Sequence, residues 1–333
     1  MALDLPALME RLWSDWRGKP KVKGLADAKF ILDYQVQRHW DWRVAFYLFG
    51  AGTSAGLIFL EVLLRWLDVL EKTTALVGMW IGLTLALLSL VALFDHLGPR
   101  ARWRFWYAIR NPRTSWISRG FFIVAVLVLL RIVVLLPSVP GLGGLPWGED
   151  TVGGNVLRAV VLLFALGFMA YSGLVLSSWA AIAFWNTPML PVLYMGYSFL
   201  GGMAALPLIA LVTGGSAEVE TLGGTLWPWV LGLLLGNGLA LLLYVWGMAT
   251  GIRPARVSVR LMVRGPQRWN FWVGVAVLGL VLPIVIVALE VGGVMGSDAV
   301  ANVLLVIASA GTLVGGYILR EAVLKVGVYG PPV

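Results

Sequence analysis

The chain has no cysteine. That absence excludes disulfides, cysteine-ligated iron–sulfur clusters and thiolate catalysis within this polypeptide. Histidine is nearly as scarce, with His39 and His96 the two examples in 333 residues. A haem held by two histidines would need both at one membrane depth, yet these two fall at or near the ends of apolar runs. Neither a haem nor an iron–sulfur cluster is therefore expected in this chain. Charge is thin as well: 13% of residues are Asp, Glu, Lys or Arg, against roughly a quarter in a soluble domain. The start of the chain also lacks a basic stretch running into an apolar core and a small-residue cleavage site, so no cleavable signal peptide is expected there.

What the chain does have is hydrophobic length. Residues of hydrophobic type make up 59% of it, which describes a polytopic membrane protein. Eight runs reach the ~20 residues that a bilayer crossing needs: Trp42–Trp66, Thr74–Phe94, Ser115–Leu136, Val156–Trp185, Pro188–Val212, Leu226–Met248, Phe271–Glu290 and Val300–Leu319. The expected fold is an all-α bundle of eight transmembrane helices over residues 39–320. A surface segment, 1–38, precedes it and a short tail, 321–333, follows. Within the surface segment, Leu5, Leu8, Met9, Leu12, Trp13 and Trp16 recur at helical spacing behind Asp4. That pattern predicts an amphipathic helix lying on the membrane surface or against a partner.

An even number of spans puts both termini on one face. All but four of the 25 Lys and Arg residues fall on that face, the exceptions being Arg65, Lys72, Arg131 and Arg158. The bias predicts cytoplasmic termini in a bacterial or archaeal inner membrane. The net charge of +8 is thus a topology signal, with membrane lipids as the contact and no nucleic acid required. Glycines recur inside the spans, at Gly52, Gly56, Gly201 and Gly202 among others, as expected where helices approach closely in lipid. The stretch 253–264 alternates partly between apolar and basic residues, a pattern open to a strand or to adhesion on headgroups.

Polar groups that hydrocarbon should penalise mark the candidate sites. His39 and Asp41 open the first span, with Tyr47 further in; Asp95 and His96 close the second; Tyr171 lies near the middle of the fourth. Two hydrogen-bond donors, an aromatic wall and a protonatable route to water are what a quinone headgroup requires. Anchoring at the interface is the competing reading for the tryptophans here. For Asp95 and His96, a proton relay and a hydrogen-bonded helix end both stay open. On the opposite side, Glu61 lies about 28 Å along span one and Arg131 about 24 Å along span three. The two should form an ion pair, with Arg158 at similar depth, either as a clamp or as a proton path. Between spans four and five, Asn186, Pro188 and Pro191 form a corner expected to fix a tight hairpin.

Five motifs occur in order: Tyr47-Leu-Phe-Gly-Ala-Gly-Thr-Ser-Ala-Gly, Asp95-His-Leu-Gly-Pro-Arg, Asn111-Pro-Arg-Thr-Ser-Trp, Tyr171-Ser-Gly and Trp185-Asn-Thr-Pro-Met-Leu-Pro. Together they resemble the NrfD/PsrC-type polysulfide reductase membrane subunits. The resemblance implies an integral subunit that binds menaquinone or ubiquinone, with Tyr47 and Tyr171 at the quinone. It also implies a docked four-cluster, ferredoxin-like iron–sulfur subunit, and beyond it a molybdopterin or tungstopterin catalytic subunit. Proton translocation is an additional expectation. Two other classes compete, a secondary transporter, compatible with the Gly- and Pro-interrupted spans, and a purely structural membrane anchor.

Overall fold

The computed structural model describes residues 34–149, 151–294 and 299–330. The proposed amphipathic helix at residues 4–16 lies outside them. Among the described residues, eight helices are long and apolar enough to cross a membrane. In order they are Trp42–Trp66, Lys72–His96, Trp116–Leu135, Val152–Ser177, Met189–Thr213, Gly215–Thr250, a π-helical stretch Asn270–Val281 that continues as Leu282–Val291, and Ala299–Lys325. They are called spans one to eight below. Side-chain caps fix several starts. Asp41 accepts from the Arg43 backbone N–H at 2.9 Å before span one, and Thr151 accepts from that of Gly154 at 3.0 Å before span four. Each satisfies a helix-end donor that lipid could not.

Span one is the axle of the bundle. It packs against spans two, four, five and eight, and its side chains are buried on nearly every face. Close approach of span five depends on glycine. A Cβ on Gly56 would overlap the Ser198 carbonyl, and one on Gly202 would overlap the Gly56 backbone. Spans two, three and six instead turn broad apolar faces outward, as lipid-facing helices do.

The two ends of the described bundle meet on one face. Gln35–Val36 pairs antiparallel with Val328–Tyr329, and the Gln37 side chain donates to the Leu324 carbonyl at 2.8 Å, at the end of span eight. Both ends therefore lie on the same side, the side that also carries the five motifs.

The structure departs from the sequence expectation in several places, including the end of span eight, which runs to Lys325 rather than Leu319. Span four ends at Ser177 rather than Trp185, and residues 178–188 form a series of turns instead of a tight corner. Asn186 braces them by donating to the Ser177 carbonyl at 2.5 Å. Pro188 stands just before span five and Pro191 in its first turn, where a missing N–H costs nothing. Span six starts at Gly215 rather than Leu226 and runs 36 residues, about 54 Å, so it projects well beyond a ~30 Å hydrocarbon core. Finally, 253–264 is a helix, Arg253–Val263. Arg253, Arg256 and Arg260 fall on its exposed stripe, while Val257, Val259, Leu261 and Met262 are buried. Over so short a stretch the two-residue and 3.6-residue patterns overlap.

Candidate functional site

At the motif-bearing end, the cap of span one is also the hub of a charged network. The Asp41 carboxylate that caps the helix lies 3.2 Å from His96 Nδ1 at the end of span two. Arg43 bridges the two helix ends, with Nε 2.9 Å from Asp95 and Nη1 3.4 Å from Asp41. Arg102, just past span two, also pairs with Asp95. His96 is about a fifth exposed and the charged groups a third to a half, so their mutual attraction adds little stability. The arrangement leaves an imidazole and two carboxylates partly open at this end of the bundle. His39 is exposed and outside the network.

Six residues beyond Asp41, about 9 Å along the helix, Tyr47 is 5% exposed. Its hydroxyl comes within interacting distance of the Tyr171 hydroxyl on span four. Two motifs distant in sequence thus contribute one pair of buried phenols. Tyr171 fits because span three has no side chain opposite it: a Cβ on Gly120 would overlap its ring. Phe168 stacks on the other side, with ring centroids 6.4 Å apart at 19°. Two residues on, Gly173 allows span four to touch the backbone of Pro191, which ties the pair to the 178–188 turns.

Toward the same end of the bundle a cavity of about 480 Å³ is lined by Thr114, Ser115, Trp116 and Ile117 on one side and Ser178, Trp179, Ala180 and Ala181 on the other; neither phenol lines it. Trp116 is one turn from Gly120, and Ser178 is two turns from Tyr171, so cleft and phenols follow the same helix faces. Trp179 meets Trp40 edge-on at 5.5 Å, and Trp40 in turn packs on Trp185 at 5.1 Å. In the sequence Ser177, Ser178 and Trp179 stand out with Tyr171 on the basic side of span four, and Trp40 stands out at the start of span one; the contact between Trp40 and Trp179 does not, because 178–181 reads there as continuous helix.

The opposite end holds the ion pair. Arg131 Nη2 lies 2.5 Å from Glu61 Oε2, and both side chains are fully buried. Arg158 adds its charge to the field at Glu61 and donates to the Glu149 carbonyl at 2.6 Å. One turn of span two links this pair to a second buried carboxylate. Gly78 faces Glu61, and Thr74, four residues earlier, donates to Glu218 Oε2 at 2.6 Å. Glu218 is 5% exposed, and only its position at the buried end of an extended span six reveals it.

Outside the spans, Glu149 accepts from Arg65 at 2.5 Å and pairs with Lys72 at 3.2 Å. Burial pushes its carboxyl up, but the hydrogen bonds from Arg65 and Lys72 outweigh burial and hold it below the usual carboxylate range. A lowered folded-state pKa means stability that is present above the unfolded value and lost as pH falls through the folded one. Thermal stability of the detergent-solubilised protein should therefore drop as pH falls below about 4.3. Glu149→Gln should be less stable at neutral pH and show a shallower acid loss; parallel pH curves for the two proteins would contradict this.

Comparison with known proteins agrees with the motifs. The family model described as "Polysulphide reductase, NrfD" matches residues 33–330. Protein NrfD of Escherichia coli (strain K12) is 31% identical over 313 residues, covering 86% of this chain and 94% of that protein. The C subunit of the polysulfide reductase of Wolinella succinogenes is 29% identical over 265 residues, covering 74% and 82%. The matched region takes in all eight spans, the phenol pair and the buried ion pair, and this chain belongs to the NrfD polysulphide reductase family.

Proposed function

We propose that the protein is the quinone-reactive membrane subunit of a multi-subunit respiratory oxidoreductase. The observation that carries this reading is the buried Tyr47–Tyr171 pair, on the helices that also border a cleft holding Trp116 and Trp179. The residue types suit the group: the two buried phenols can donate to a quinone carbonyl, and the nearby cleft, with Trp116 and Trp179 in its wall and a volume in the range of small-molecule sites, offers room on the same helices. When bound, a quinone or quinol supplies a couple that exchanges two electrons and two protons. Tyr47 and Tyr171 would orient the headgroup and donate to its oxygen. His96, oriented by Asp41, would pass protons between that oxygen and water, a role imidazole suits because one ring nitrogen can accept a proton while the other donates. Electrons pass to or from an iron–sulfur subunit docked on the motif-bearing face, and through it a molybdopterin or tungstopterin catalytic subunit. With the basic bias of the loops, that face is the cytoplasmic one.

Binding can be tested directly, because Trp40, Trp179 and Trp185 lie together. Added naphthoquinone or benzoquinone should quench tryptophan fluorescence saturably, with half-saturation raised about tenfold by Tyr47→Phe for a lost buried hydrogen bond. Quenching without saturation would leave the protein an anchor with no quinone site.

The second set of buried carboxyls favours a proton route to the far face. Glu61 and Glu218 face neighbouring turns of span two, and each has an oxygen with no hydrogen-bond partner among the described residues. Glu218→Gln keeps the contact with Thr74 and should reduce proton release at that face during turnover. Undiminished release would take Glu218 out of the route, and undiminished release in Glu61→Gln would leave Glu61 and Arg131 a clamp.

A further inference from the structure

Span eight carries a buried cation that neither the cleft nor the far-side carboxyls use. Arg320 is 1% exposed and lies five residues before the helix ends at Lys325. Its guanidinium lies over two rings, 5.9 Å from the centre of Phe49 on span one and 5.3 Å from that of Tyr194 on span five. Phe49 is about 10 Å along span one from Trp42, so the charge is well inside the bundle. Nη1 donates to the Gly316 carbonyl at 3.0 Å, and Nη2 reaches Ser198 Oγ at 3.5 Å. Nε has no partner among the described residues, and neither do the buried hydroxyls of Tyr194 and Tyr197.

No described carboxylate forms an ion pair with Arg320. The adjacent Glu321 is engaged by Lys325 at 2.5 Å. A guanidinium stays charged at any pH the protein meets, and buried charges are normally paired or coordinated. The two aromatic rings compensate part of this by cation–π attraction. Its in-plane N–H groups still need acceptors. Buried water would satisfy those donors while leaving a net unit of charge in a low-dielectric interior. An anion answers both needs, and the side chains of Tyr194 and Tyr197, both beside Arg320, bring two phenolic O–H groups without partners among the described residues. Glycine makes the space: a Cβ on Gly52 would stand 2.8 Å from Arg320 Nη2.

We propose that Arg320, Tyr194 and Tyr197 form an internal site for a small monovalent inorganic anion of the halide class. The site is separate from the cleft. Tyr47 and Phe49 point about 200° apart around span one, so the phenol pair faces span four while the anion site faces spans five and eight. The bound ion would neutralise Arg320 and join three spans through one contact. It stands or falls independently of quinone binding.

The test is thermal unfolding of the detergent-solubilised full-length protein at fixed ionic strength, with sodium gluconate replaced stepwise by chloride or bromide. Halide should raise the unfolding temperature saturably, because a ligand that binds the folded state alone stabilises it by mass action. Arg320→Gln should lose the response, whereas the exposed Arg256→Gln should keep it. The double variant Tyr194→Phe/Tyr197→Phe should raise the half-saturating concentration about tenfold or more. Indifference of the unaltered protein to halide would overturn the site in favour of buried water. A response surviving in Arg320→Gln would assign it to surface arginines instead. Should Arg320→Gln fail to fold, the phenylalanine pair decides, and an unchanged half-saturation there overturns the proposal.

Discussion

Glu61→Gln should destabilise the bundle by about 3–5 kcal/mol, the cost of removing one partner from a buried ion pair. Arg131→Gln should cost less. Both side chains are fully buried, but the two orphans have different escapes. A carboxyl stranded in an apolar interior takes up a proton and becomes neutral, and Glu61 also keeps the field of Arg158. A stranded guanidinium has no neutral form to adopt. Replacing both residues by leucine removes the charge problem altogether, so Glu61→Leu/Arg131→Leu should be more stable than Glu61→Leu alone. Thermal unfolding of the four detergent-solubilised variants gives the order. If Arg131→Gln proves the worse single variant, the pair is not charged in the way its geometry implies.

That pair is legible in the sequence because helix arithmetic alone brings positions 61 and 131 to one depth. Span one is legible too, since Asp41 supplies a cap just before an unbroken apolar run. Span four is not. Its apolar run continues through Ile182, Phe184 and Trp185, but those side chains are buried by the backbone folding back over the end of span eight. Trp185 donates to the Val323 carbonyl at 2.9 Å and Tyr244 to that of Phe184 at 2.6 Å. Hydropathy cannot separate residues that face lipid from residues buried under a turn. Charge counting fails in a parallel way. It groups Arg320 with the basic face and Glu218 with the acids of a loop, because their burial depends on partners more than a hundred residues away. The link between Asp41 and His96 spans 55 residues and leaves no local pattern at all. Tyr47 and Tyr171 stand out separately, by depth and by family motif; only the fold makes them neighbours.

Tyr171→Phe should abolish most quinol-linked turnover while leaving assembly intact. The substitution removes one oxygen and keeps the ring, so the fit against Gly120 and the stack on Phe168 survive. Activity of the catalytic partner with a soluble dye should then be unchanged, which separates a lost site from a lost complex. The size of the defect distinguishes two roles for the hydroxyl. A phenol that only holds the headgroup is worth about 0.5–1.5 kcal/mol, at most about tenfold, and its loss should appear in KM. A phenol through which the proton moves should lower kcat by about 10²–10⁴. The nearness of Tyr47 favours the larger effect, because one hydroxyl can then replenish the proton the other gives up. Tyr47→Phe should for that reason resemble Tyr171→Phe in kcat, and the double variant should be little worse than either, as residues acting as one unit are strongly non-additive. Multiplying defects would instead mean that the two phenols hold the headgroup independently and that its proton comes by another route.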